Sequence, residues 1–196
     1  MPEDAPVTSF SSLPDHLLRR LRAEMRPGES ITWAAQPNPS RHMKSGFKLW
    51  YFFIPWTAFA LFWIVAASGF RLPRFDEGWS FFPLFGLPFL LIGLGGLSAP
   101  IWLRHKAHSI VYAVTNQRAI TIEGSKSITV KYYMASDIVG VERTEHQDGS
   151  GDIILRTEHY RDSDGDSRAR QYGFFAIDDV RKAERLVEAL IRNNHA

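Results

Sequence analysis

The sequence predicts an α+β protein: a two-helix transmembrane hairpin joined to a small antiparallel β-barrel of six or seven strands, capped by a C-terminal α-helix. Three observations predict it. Two long stretches carry no charge, a series of short alternating runs separated by turn residues follows them, and a single amphipathic run closes the chain.

The chain begins with an acidic, proline-bearing segment, MPEDAPVTSFSSLPD, which lacks the basic stretch of a cleavable signal peptide. Residues 1–29 form a tail with one amphipathic helix. Leu13, Leu17, Leu21 and Met25 recur every four residues among Arg19, Arg20, Arg22 and Arg26, and Pro27-Gly28 ends the run. Such a helix lies either on an anionic bilayer surface or on the folded domain. Residues 30–35 (SITWAA) then read as a first strand.

Residues 49–70 are 22 positions without a charge, and residues 78–103 are 26. The shorter covers roughly 33 Å as a helix, enough for a hydrocarbon core of about 30 Å. A soluble domain of this size cannot surround two helices that are apolar on all sides. Trp50 and Tyr51 open the first span, and Trp79 and Trp102 bracket the second, as the headgroup layer favours. Pro55, Pro83 and Pro88 lie inside the spans, which neighbouring helices make tolerable in lipid. Gly95 and Ala99 form a small-xxx-small pair. It serves either to dock span one on span two, the expected use, or to form a dimer face. Neither span holds an ionisable side chain, which argues against transport.

Basic residues flank the spans: Arg41, Lys44 and Lys48 before them, Arg104 and Lys106 after them. Arg71 and Arg74 share the connecting loop with two acids. The excess places both termini in the cytoplasm. These cations are expected to anchor the spans and to favour anionic lipid without specificity.

Residues 105–196 form the soluble domain. Strands are expected at 109–114, 118–123, 127–133, 138–143, 152–157 and 168–175, with turns at 115–117, 124–125, 146–151 and 162–167. If residues 30–35 join them, the sheet has seven strands, and the membrane hairpin is inserted between strands one and two of one domain. A helix starts at Asp178, with Val180, Ala183, Val187, Leu190 and Ile191 on one face to cover the open end of the barrel.

Composition excludes several functions. There is no cysteine, so disulfides and thiol-based metal or redox sites are ruled out. The net charge of +2 is dispersed, unlike a nucleic-acid binder. No catalytic or cofactor constellation stands out. Glu145-His146 and Glu158-His159 are neighbours whose side chains point apart in extended chain. His105 and His108 lack a third metal ligand. Asp162, Asp164 and Asp166 resemble a calcium loop only until Ser167, where glycine is required. No small-molecule substrate is indicated, and the chain is not expected to be an enzyme.

The chain resembles the bacterial pleckstrin-homology (PH) domain membrane proteins. The resemblance lies in Gly28-Glu29-Ser30-Ile31-Thr32-Trp33, in Tyr112-Ala113-Val114-Thr115-Asn116-Gln117-Arg118-Ala119-Ile120, in Asp137-Ile138-Val139-Gly140-Val141-Glu142, and in Phe175-Ala176-Ile177-Asp178-Asp179. It covers nearly the whole chain, and Tyr112, Thr115, Asn116 and Arg118 are its most specific part. It implies a PH-like domain anchored on the cytoplasmic side of a bacterial inner membrane, and no particular activity. Thr115 and Asn116 suit a tight turn, and Arg118 is expected to pair within the domain with an acid such as Asp137 or Glu142. In PH domains that bind phosphoinositides, a basic cluster sits in the loop that the membrane hairpin replaces here. The expected role is therefore a membrane-held scaffold or assembly module, whose partner is an unknown protein or a second copy. A lipid-headgroup module is the alternative, and a membrane-bound enzyme the second alternative.

Overall fold

The computed structural model describes residues 13–44, 46–70, 82–138 and 140–195. They fall into two compact units, residues 1–42 with 106–196, and residues 43–105.

The first unit is α+β, built on two antiparallel sheets. Strands β1 (Ile31–Ala35), β2 (Ile110–Thr115), β3 (Arg118–Glu123) and β4 (Thr129–Met134) form one sheet in that order; β5 (Glu142–Glu145), β6 (Gly151–Arg161) and β7 (Ser167–Ile177) form the other. Trp33 pairs with Val114 and Ala35 with Tyr112, so residues 36–109 are an insertion between two hydrogen-bonded strands. That is the expected topology. The strands do not close into a barrel, and here the expectation is corrected. After β4 the chain turns through a 3₁₀ segment, Ala135–Asp137, and the run expected as a strand at 138–143 pairs only from Glu142. Gly140 interrupts the alternation, and the two sheets remain separate.

Parity along each strand decides the two faces. Trp33, Tyr112, Val114, Ala119 and Tyr133 of the first sheet meet Ile153, Leu155, Phe174 and Ile177 of the second in one core. Helix α6 (Val180–His195) begins two residues later than expected, and Asp179 Oδ1 accepts the Lys182 backbone N–H at 3.0 Å. Its stripe of Val180, Ala183, Val187 and Leu190 enters the same core. The opposite face of the first sheet presents Ala34, Val111, Ala113, Ile120 and Ile122 to helix α1 (Asp15–Ala23). Leu17 and Leu21 are fully buried there, which answers the question of where the leucine stripe packs.

A short helix, α2 (Pro39–Lys44), follows β1; in the second unit, α3 (Phe47–Ala67) is 21 residues long, and its most apolar 18-residue stretch has mean hydropathy 1.7 and is only 11% buried. It is long and apolar enough to cross a membrane. The second apolar stretch is bent. After a 3₁₀ turn at Phe82–Gly86, α4 (Leu87–Leu97) and α5 (Ala99–Ala107) meet at a 41° break, so the described residues hold one helix long and apolar enough to cross a membrane, or two if the bent pair counts as one. Pro100 has no N–H for the carbonyl one turn back, and Gly95-Gly96 precede it, which accounts for the break. Positions 71–81 of the expected loop and second span lie outside the described residues. The two helices pack through glycine, as expected, but through other glycines. A Cβ at Gly93 would collide with Thr57 and one at Gly96 with the Phe53 ring, whereas Gly95 meets nothing. Phe52, Phe59, Phe62 and Leu91 point outward.

Candidate functional site

The Tyr112–Arg118 motif folds into a latch. Arg118 shares the even-numbered face of β3 with Ile120 and Ile122, which is the α1 side and not the side of Asp137 and Glu142. Its partner is therefore Glu29, not either of those acids. Arg118 Nε donates to Glu29 Oε1 at 2.8 Å and Nη2 to Oε2 at 2.9 Å, a bidentate pair whose side chains are 2% and 0% exposed. Nη2 also donates to the Glu24 carbonyl at 2.7 Å, and the guanidinium lies 4.2 Å over the Tyr132 ring. The Tyr132 hydroxyl donates to the Glu24 carboxylate. Thr115 Oγ1 accepts the N–H groups of Gln117 and Arg118 at 3.1 and 3.0 Å. Asn116 reaches back, accepting the Ser30 N–H at 2.9 Å and donating to the Gly28 carbonyl at 3.2 Å. Burial pushes the Glu29 carboxyl up, but hydrogen bonds from Arg118, the Arg26 N–H and Thr115 outweigh it and hold it below the usual carboxylate range.

This arrangement is filled by its own side chains. It ties the end of α1 and the start of β1 to the β2–β3 turn. Tyr112 belongs to the other face: its ring lies 5.1 Å from Phe174, and burial pushes its hydroxyl far above the ordinary phenol range. Sequence reading placed the turn correctly but missed Glu24, Glu29 and Tyr132, whose roles depend on contacts across about a hundred positions.

The five span-flanking cations divide. Arg41 pairs with Asp148 in the β5–β6 turn, and Lys106 lies 3.9 Å from Glu123. Lys44, Lys48 and Arg104 are exposed. In the two acid–histidine neighbours the acids pair with arginines. Glu145 accepts from Arg181 Nε at 2.8 Å, and Glu158 pairs with Arg156 at 2.6 Å. Asp162, Asp164 and Asp166 lie in a hairpin turn closed by the Asp162 N–H donating to the Asp166 carbonyl at 2.8 Å, with Gly165 at φ 85°. Among the described residues no group of three or more His, Asp or Glu side chains is placed to hold a metal.

Two concavities remain. One, of about 420 Å³, is bounded by Trp33, Asn38, His108, Asp178 and Lys182. Asn38 Nδ2 donates to Asp178 Oδ1 across it at 2.8 Å. The other, of about 490 Å³, is a groove between Asp137 and residues 140–142 on one side and β6 on the other, bordered by Val141, Glu142, Leu155, Arg156 and Thr157. It leads onto a free strand edge. The last β5–β6 pair is Glu142 with Ile154, while β6 continues to Arg161 with only β7 beside it. Backbone donors and acceptors on that side have no strand partner among the described residues. An edge of this kind accepts an extended chain by hydrogen bonding, with side-chain pairing selecting which chain.

Comparison with protein-family models, curated proteins and solved structures finds no match to this chain.

Proposed function

We propose that this is an integral membrane protein with a PH-like domain on the cytoplasmic face, serving as a protein-interaction or assembly module. The observation that carries the reading is the unpaired edge of β6 beyond Ile154, opening from a groove bordered by Val141 and Leu155. Seven antiparallel strands in two sheets around one C-terminal helix support a PH-like arrangement. The outward-facing apolar side chains of α3 and α4 support the anchor.

Affinity purification from native membranes in mild detergent tests this, comparing the full chain with one ended after Lys106. A defined protein, including a second copy of the chain, is expected with the full chain and absent with the shortened one. Enrichment of one lipid class through the domain, with no protein, replaces this reading with the headgroup-binding one.

A further inference from the structure

We propose that the free edge of β6 pairs antiparallel with the same edge of a second copy, about a two-fold axis through His159. This rests on the interaction-module reading and names the partner. The free stretch runs from Arg156 to Arg161, extended and mostly exposed with Glu158 half-buried, and Asp162 is the first residue of the turn that follows. A two-fold axis perpendicular to the sheet sets opposite each other residues whose numbers average to the axis position, with both side chains on one face. Charge then selects the register. An axis at Glu158 sets that carboxylate against itself. An axis at Tyr160 sets Glu158 against Asp162. An axis at Thr157 uses only the stretch 155–159, because Ile154 is held by β5. An axis at His159 sets Arg156 against Asp162, Glu158 against Tyr160, and Thr157 against Arg161, each twice by symmetry. No two carboxylates and no two guanidiniums face each other.

The other long edge has no such pattern. Strand β7 carries Arg168 and Arg170 and no acid, so it is not charge-complementary to itself. Within one chain Arg156 pairs with Glu158 and Asp162 with Arg168, both exposed pairs that exchange readily for partners across the axis. In this register Arg156 of each copy faces Asp162 of the other, the self-complementarity that an isologous contact requires. An edge of six residues is small for a dimer in free solution. Confinement of both copies in one bilayer raises their effective concentration.

The absence of native cysteine makes the test direct. The full chain carrying His159→Cys, in native membranes, is treated with a short bis-maleimide, and Ser127→Cys in the β3–β4 turn is the control. A cross-linked dimer is expected for His159→Cys alone. Adding Asp162→Arg lowers its yield about five-fold, and adding Arg156→Asp to that variant restores it. Equal yields at both cysteines overturn the two-fold contact. If the affinity purification still loses a protein on truncation, only the choice of partner fails. If it loses none, the interaction-module reading fails with it.

Discussion

Arg118 and Glu29 lie 89 positions apart and form a two-point ion pair beneath helix α1. Removing one partner leaves the other buried and unpaired, which costs about 3–5 kcal/mol. Glu29→Ala and Arg118→Ala are each expected to lower the Tm of the detergent-solubilised chain clearly. Glu29→Met with Arg118→Met, which leaves no buried charge, is expected to lower it less than either. A double variant as unstable as the sum of the two would show that the residues act separately.

The same pair gives an acid limit. The Glu29 carboxyl is held below its ordinary value of 4.5, so its contribution is complete above that value and is lost as pH falls through the lower, folded-state value. Tm measured between about pH 6 and pH 3 should fall more steeply for the native chain than for Glu29→Gln. Parallel curves would remove Glu29 from the acid response.

Much of this fold was legible in the sequence, and the failures share a cause. Short β-branched and aromatic runs between turn residues located β2, β3, β6 and β7, although β2 and β3 are buried on both faces, by the core on one side and by α1 on the other. The insertion was legible because SITWAA has the same pattern on the far side of the spans. The partner of Arg118 was not legible: parity puts it on the face of Ile120 and Ile122, but which acid covers that face is settled only when α1 docks. The leucine stripe of α1 suits a bilayer or a sheet equally, and only the opposing apolar face of Ala34, Val111 and Ile120 decides. The IVGVER run alternates like a strand, yet it follows a 3₁₀ turn and contains Gly140, so pairing begins only at Glu142. The free β6 edge was invisible for the same reason, since it exists because β5 is short.

Glycine packing in the apolar unit, residues 43–105, makes a position-specific prediction. Gly93→Val and Gly96→Val force side chains into Thr57 and Phe53, at about 1–3 kcal/mol each. Gly95→Val meets open space. Thermal aggregation in detergent should therefore be earlier for the first two variants and nearly unchanged for the third. Sensitivity at Gly95 instead would mean that this face packs against another helix.

Trp33 packs 5.7 Å from Phe174, bringing β1 into a core otherwise built from residues beyond the spans. Trp33→Ala is expected to destabilise the domain by about 3–5 kcal/mol. A loss under 1 kcal/mol, read from denaturant unfolding followed by tyrosine near-ultraviolet circular dichroism, would show that β1 is peripheral.

The most direct test of the whole account compares two chains: residues 106–196 alone, and residues 13–42 joined to 106–196 by a short flexible linker in place of residues 43–105. If one domain is interrupted by the membrane segment, the joined chain melts cooperatively and the shorter one shows no cooperative transition. If residues 106–196 alone melt cooperatively at the same temperature as the joined chain, β1 is not part of that domain and the inserted topology is wrong.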